Sequence, residues 1–483
     1  MNEVKDIFIK IVTNILKVLF IVLLLGIVLL AISFLKGSNI ATLLVITINI
    51  MVLFGVYKII KSKRLINSKK IILIILLGLS LRILWLININ TLPSSDFLLL
   101  YNSAIDLTNN DNTVFTGVNY IARFPHLSYM IVYMALIMKI FGQSLFIIKI
   151  GNLVFSVITM YLVYKVSLEV FEKENIALLS LGVSVIFTPM ITYVGVLATE
   201  NIAIPFYLAS IYYFLRAIKG GISVKLLIIS GLLLGIGNLF RMVAVIVLIA
   251  YAMYIIIFEN KNIIVKIRGT IVIISMFIIV TVSGSFLLKS FGITEVHLWK
   301  GREPAITNIL KGSNIKSFGR FNEEDATMPD KYNYDYDKVK EVAIDIIKER
   351  LTTTSPIRLG IFYSGKFIGQ WSQGDMSGIS WSESGSEKLG IINSGNYRGV
   401  VQFIYMIIIL LSFISLFNTK RIFGENQIIN LFYIILCGYG CFYLITEMQG
   451  RYAYIVCWLF IIFATSGIEK IMDYNKSKKI LGE

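Results

Sequence analysis

Apolar residues run in long blocks along almost the whole chain, separated by short polar loops. Most of these blocks are long enough for a helix that crosses the roughly 30 Å hydrocarbon layer, which takes about 20 residues. The candidate spans are 11–35, 40–60, 70–90, 126–141, 143–166, 175–193, 197–217, 224–240, 242–258, 269–288, 397–416, 427–446 and 452–469. The first is too long for a signal-peptide core and has no convincing cleavage site, so it reads as a retained span. An odd number of spans conflicts with two cytoplasmic termini. One candidate between 126 and 217 is therefore expected to be partial, re-entrant or fused, and 126–141 is the shortest.

Two polar stretches interrupt this pattern. The first covers about 91–125, directly after the third span. The second, 289–396, holds an amphipathic helix over Asp337–Leu351, where Val339, Val342 and Ile346 recur at helical spacing. Ile357–Ile368 reads as a strand and Gly374–Gly385 as a Ser/Gly loop, so a small α/β segment is expected. The division is 1–66, an N-terminal pair of helices; 67–288, a membrane core with external loop 91–125; 289–396, an extracytoplasmic domain; and 397–483, C-terminal helices and a cytoplasmic tail. Gly231, Gly235 and Gly237 lie within an apolar helix, where small residues permit close helix packing.

Composition narrows the class. Of 483 residues, 57% are hydrophobic and 15% charged, with mean hydropathy +0.79; soluble proteins average about 25% charged. A soluble globular enzyme, a disordered chain and a coiled coil are excluded. The fold class is an all-α polytopic membrane protein of about 12–13 helices with a small external α/β segment. The net charge of +16 would suit nucleic acid, but it is in the wrong place. The stretch 289–396 carries 14 basic and 14 acidic residues and is neutral. The excess lies in short loops, as in Lys61, Lys63, Arg64, Lys69 and Lys70, and in the tail at Lys476, Lys478 and Lys479. That is the positive-inside pattern of a multi-pass plasma-membrane protein. It puts both polar stretches outside and gives no nucleic-acid partner. Cys437, Cys441 and Cys457 sit in apolar runs and read as packing residues.

No metal motif, nucleotide loop or Ser/His/Asp order is visible. The histidines are His126 and His297. Chemistry is left to polar residues at the ends of apolar runs, which are costly in a membrane and functional candidates by default. Asp96 follows Leu92-Pro-Ser-Ser and begins a surface helix whose apolar face uses Leu99, Leu100, Ser103 and Leu107. It can cap that helix, and a helix N-terminus also keeps a carboxylate ionised. Glu200 interrupts a region that is apolar on both sides. Arg241 stands alone between two apolar runs, where it can snorkel or meet a lipid phosphate. Glu447-Met-Gln-Gly-Arg451-Tyr452 lies between the last two runs, where Arg and Tyr can also act as interfacial anchors. Arg123 and His126 close the first polar stretch. Two carboxylates and several arginines at one face suit chemistry on a lipid-phosphate-linked donor.

These motifs, in order, resemble the GT-C glycosyltransferases, in particular the protein-mannosyltransferase/aminoarabinose-transferase-like group of glycosyltransferase family 39. The resemblance rests on Ser-Ser-Asp96-Phe-x3-Tyr101 after a span and on Phe-Pro-His126-Leu-x-Tyr opening the next. Phe141-Gly142, Ala-Thr-Glu200-Asn, Gly231-Leu-Leu-Leu-Gly…Phe-Arg241 and Glu447-x-Gln-Gly-Arg451-Tyr452 follow. Gly319-Arg-Phe-Asn-x2-Asp325 is similar to a motif in external loops of Gram-positive members. The resemblance implies a polyprenyl-phosphate-sugar donor and inverting transfer on the outer face to a glycan, lipid or protein acceptor. Asp96 would be the general base and Glu200 the second acid. Arg241, Arg451 and Arg123 would hold the donor phosphate. Tyr101, Asn102, His126, Glu447 and Tyr452 would position substrate. No metal ligand set is implied. The chain departs from the eukaryotic members at Phe97, where they carry a second acid. A bacterial plasma-membrane location is consistent with Ile-, Lys- and Asn-rich usage.

Two other classes share the ligand. A flippase of lipid-linked sugars would show charges along an intramembrane path and often internal repeats; neither is evident. A polysaccharide polymerase or ligase shares the donor, but the Asp96 loop after an early span favours the transferase. Trp299, Trp371 and Trp381 can stack on sugar rings or pack locally.

Overall fold

The structure, a computed structural model, describes residues 2–35, 40–384 and 394–481. Among these every regular element is a helix. The principal ones are α1 Asn2–Leu35, α2 Ile40–Lys61, α3 Asn67–Asn88, α4 Ser95–Thr108, α5 Ser128–Phe141, α6 Leu145–Phe171, α7 Glu174–Ile186, α8 Glu200–Lys219, α9 Val224–Phe240, α10 Val245–Phe258 and α11 Ile263–Ser290. Then come α12 Ile306–Gly312, α13 Tyr336–Thr353, α14 Pro356–Trp371, α15 Gly378–Glu383, α16 Ser394–Ser415, α17 Ile429–Ile445 and α18 Trp458–Leu481. Six helices among the described residues are long and apolar enough to cross a membrane, or nine if each of three bent helix pairs is one span. The chain is a multi-pass membrane protein.

Each predicted span meets a helix, but three are not simple rods. The 126–141 segment is correctly the weak one. Pro125–Phe141 turns by 110° from Thr113–Arg123, and α5 at 14 residues is about 21 Å long, short of the hydrocarbon thickness. It packs beside α4. The 175–193 run breaks by 61° at Phe187–Thr188, ahead of Pro189. The last run opens with the 3₁₀ turn Gly450–Val456 before α18, again with a 61° bend.

The expected α/β segment is not found. The stretch 357–368 lies within helix α14, which buries Phe362, Lys366, Phe367, Gln370 and Trp371 on one face. Pro356 at the first turn starts it. A short Ile/Phe-rich run cannot be told from a strand by hydrophobicity alone, and the 3.6-residue spacing of the buried positions decides it. The Gly374–Gly385 loop contains α15, and Gly385 lies outside the described residues. The amphipathic helix is present as α13, with Val339 and Ala343 buried.

Packing of the core fixes the ends of helices where the site lies. Gly231 lets α9 approach the backbone of α11: a Cβ there would sit 2.7 Å from the Ile273 carbonyl oxygen. Arg82, fully buried in α3, was not singled out from sequence because apolar residues surround it. It donates to Ser156 Oγ (2.7 Å), Gly78 O (3.0 Å) and Ser184 O (3.1 Å), tying α3 to α6 and α7. Lys149 Nζ of α6 donates to Thr91 O at 2.5 Å, which fixes the turn leading into α4.

The segment between α11 and α16 has a small core of its own, Leu310, Met328, Val339 and Ala343. One buried ion pair closes it: Arg350 Nη2 reaches Asp325 Oδ1 at 2.7 Å, and Asn314 and Asn322 also donate to Asp325. Burial alone would raise the Asp325 carboxyl, but the hydrogen bonds from Arg350, Asn314 and Asn322 outweigh it and hold it below its ordinary value. Its contribution to stability is therefore present above the unfolded carboxyl value of about 3.9 and is lost as pH falls through the folded value. Removing one partner of a buried pair costs about 3–5 kcal/mol. Asp325→Ala is expected to lower the unfolding midpoint at neutral pH, and thermal unfolding of the purified protein measures it.

Candidate active site

One cavity of about 480 Å³ gathers most of the polar residues expected from sequence. Asp96, Arg123, His126, Glu200, Arg241, Glu447, Arg451 and Tyr452 all line it, although they come from five separate segments of chain. Tyr101 and Asn102 do not. Tyr101 is half-buried against the main core, and Asn102 is exposed.

Helix ends explain the convergence. The segment before α4 leaves the turn at Pro93 and enters the helix through Ser95, whose φ of +50° is left-handed; such a φ is uncommon for a residue other than glycine. Asp96 is therefore in the first turn of α4. The capping role does not materialise, because no side chain caps this helix. The carboxylate turns instead to Arg451, whose Nη2 donates to Asp96 Oδ2 at 2.8 Å. Glu200 is the first residue of α8 and accepts a hydrogen bond from Thr199 Oγ1 at 3.0 Å. α4 and α5 begin at this cavity, through Phe97 and Leu100 on one and the preceding His126 and Leu127 on the other. With α8, three helix N-termini meet here, and their partial positive charge favours an anion.

The cations are paired one to one. Arg241, just past the end of α9, brings its Nε to 3.3 Å from Glu200 Oε1, yet that buried nitrogen has no aligned hydrogen bond. Arg123 Nη2 meets Glu303 at 2.7 Å, and Lys311 Nζ lies 3.5 Å from Glu447. Tyr452 stands between the two central guanidiniums, with Arg241 5.0 Å and Arg451 5.4 Å from its ring centre. Arg451 is walled further by Phe97 at 5.4 Å and Trp381 at 5.1 Å. The Phe97 that departs from the eukaryotic pattern is thus one wall of the arginine's box.

The two broken helices form the floor. Tyr193, in the bent turn after α7, stacks on Tyr454 of the 450–456 turn with ring centres 3.9 Å apart and planes 8° apart. Tyr454 donates to Asn201 Oδ1 at 3.0 Å, and Asn201 donates back to the Tyr193 carbonyl at 2.9 Å. These contacts tie the start of α8, which carries Glu200, to the 450–456 turn, which carries Arg451.

The segment after α11 forms the roof, and its contribution was only partly legible. Trp381 lines the cavity, packed edge to face on Phe97 at 5.0 Å. Trp371 is buried in the core, and Trp299 stacks on His297 away from the cavity. Glu303, Asn308 and Lys311 were missed: they look like ordinary surface residues of a neutral stretch, and no spacing marks them. Tyr120 was also missed; its hydroxyl faces the Asp96 carboxylate. In the Gly319-to-Asp325 motif, Asp325 and Asn322 serve the local fold, and only Phe321 lines the cavity. Among the described residues, no group of three or more His, Cys, Asp or Glu is arranged to hold a metal.

The architecture is that of an all-α, multi-pass membrane protein with one polar cavity at the ends of its helices. Residues 125–285, a third of the chain, match the family model described as dolichyl-phosphate-mannose-protein mannosyltransferase. Among solved structures, the archaeal oligosaccharyltransferase AglB from Archaeoglobus fulgidus, in complex with an inhibitory peptide and a dolichol-phosphate, is similar at a TM-score of 0.51. It is 13% identical, over 87% of this chain and 52% of that one. The apo oligosaccharyltransferase of the same organism gives a TM-score of 0.46 at 11% identity, over the same shares. The chain therefore spans about half the length of these two proteins. No curated protein matches it. The matched segment contains His126, Glu200 and Arg241, whereas Asp96 and Arg451 lie outside it.

The roof meets the floor without slack. A Cβ at Gly301 would overlap the carbonyl oxygen of Arg123, and Arg302 N donates to Ala122 O at 3.0 Å. Gly301→Ala must therefore push this strand of the roof off the Arg123 segment, at a cost of about 1–3 kcal/mol. The expected outcome is faster cleavage of the roof in limited proteolysis, with the membrane helices still protected.

Proposed function

We propose that the protein transfers a sugar from a polyprenyl-phosphate-linked donor to a cell-envelope acceptor, with inversion, on the outer face of a bacterial plasma membrane. The observation that carries this reading is the pairing in one cavity of a carboxylate, Asp96, with guanidiniums suited to a phosphate. The matched family description names a dolichyl-phosphate-sugar chemistry, and the archaeal relative was solved with dolichol-phosphate and a peptide. Both support a lipid-phosphate donor here, together with an acceptor that reaches the same cavity.

Asp96 Oδ2 takes the proton of an acceptor hydroxyl as that oxygen forms its bond to the anomeric carbon. The bond from that carbon to the phosphate oxygen breaks, and its electron pair leaves on the polyprenyl phosphate. The growing phosphate charge is met by Arg241 and Arg451, whose planar forks suit phosphate oxygens. Glu200 keeps Arg241 in place and orients the sugar, while Arg123 and Lys311 serve the roof side of the cavity. Trp381 offers a ring for a sugar face. The acceptor is a glycan, lipid or protein hydroxyl, and the transferred sugar a hexose or relative.

A flippase of lipid-linked sugars would need the same arginines but no base. Asp96→Asn separates the two. Turnover of a radiolabelled polyprenyl-phosphate-sugar panel in membranes should fall by about 10²–10⁴-fold, with the protein still folded. Wild-type-like turnover in Asp96→Asn would remove the proposed base. Arg241→Ala should instead act mainly through weakened donor binding.

A further inference from the structure

The two central arginines are not equally available. Arg241 has a buried Nε with no hydrogen-bond partner. Arg451 spends its Nη2 on Asp96 at 2.8 Å, and Asp96 is the group whose ionised oxygens the reaction needs. That hydrogen bond occupies the carboxylate oxygen, Oδ2, that would otherwise meet an acceptor hydroxyl. Arg451 thus holds one carboxylate oxygen while the rest of the Asp96 side chain stays partly exposed.

The pair can open on one side only. Arg451 is held by three rings, those of Phe97, Trp381 and Tyr452, all within 5.1–5.4 Å of its guanidinium carbon. Its side chain is 14% exposed, against 34% for Asp96. Trp381 is itself anchored, edge to face on Phe97 at 5.0 Å, and the adjoining Ser384 hydroxyl bonds that of Ser94 at 2.6 Å. The arginine is the fixed member, and the carboxylate is the partner that moves. A phosphate is a stronger anionic ligand for a guanidinium fork than one carboxylate oxygen.

We infer that Arg451 masks Asp96 in the free protein, and that the donor phosphate takes over the guanidinium and so releases Asp96 as base only once the donor is seated. This rests on the transferase reading above and adds an order to it: donor first, then loss of the acceptor proton. Arg241, whose ion pair with Glu200 at 3.3 Å lacks an aligned hydrogen bond through Nε, is the looser of the two pairs and meets the phosphate first, and exchange at Arg451 follows. Such an order leaves the base quiet when no donor is present.

The test is binding of farnesyl phosphate, a short polyprenyl phosphate, to the full-length purified protein, with farnesol as the uncharged control. Wild type, Asp96→Asn, Asp96→Ala and Glu303→Gln are compared. Removing the competing carboxylate should tighten farnesyl phosphate binding by about tenfold in both Asp96 variants, with farnesol unaffected. Glu303→Gln removes an equal charge from the same cavity, and its effect should stay within about twofold, since Glu303 pairs with Arg123 instead. Equal affinity in wild type and the Asp96 variants would overturn the masking and leave the base role standing. So would equal tightening in Glu303→Gln, which would signal a general field effect, or tightening that extends to farnesol. Absence of farnesyl phosphate binding in wild type would overturn the phosphate-site reading itself.

Discussion

A charge in a low-dielectric region must be neutralised, and this requirement shapes the protein at every level. A buried ion whose partner is lost costs several kcal/mol, so each cation in the molecule's interior is seen with its acceptors. Arg82 has no acid within reach and uses a hydroxyl and two carbonyls. Arg421 pairs with Glu469 at 2.7 Å and also caps the end of α6 through the Val170 and Phe171 carbonyls. In the cavity the same rule pairs four cations with four carboxylates. These pairs balance one another's charge, and in the proposed reaction Arg241 and Arg451 are the phosphate ligands among them. The incoming anion needs to outcompete a carboxylate rather than find a bare positive charge.

Much of this was legible from sequence because membranes impose a strong pattern. Apolar runs located the helices, and charged residues at their ends located Asp96, Glu200, Arg241 and Arg451. Their mutual pairing was not legible. Asp96 and Arg451 are 355 residues apart, and nothing in either neighbourhood encodes the other. Arg82 was missed for the converse reason: a lone basic residue inside a long apolar run carries no local mark of its partners on α6 and α7. The strand expected at 357–368 failed because β-branched and aromatic residues fill a helix face as readily as a pleat when both are buried.

The roof contributes chemistry without a recognisable motif. Glu303 and Lys311 look like ordinary solvated charges in a neutral stretch, and only docking onto Arg123 and Glu447 gives them a role. The glycines mark that docking more clearly than the charges do. Gly312 lies where a Cβ would meet the Ile445 and Thr446 backbone, and Gly301 where it would meet Arg123. Backbone packed this closely places side chains more precisely than flexible contacts between long chains.

The stacked Tyr193 and Tyr454 rings join two interruptions of the helical framework that lie far apart in the chain. Among the described residues each ring is the other's stacked partner, and the segments they belong to lead into Glu200 and out of Arg451. An inherited change at one of these tyrosines therefore tilts the other interruption as well, and with it the distance between Glu200 and Arg451. The two segments therefore behave as one mechanical unit, in which a change of ring size on one side is passed to the other through the stack.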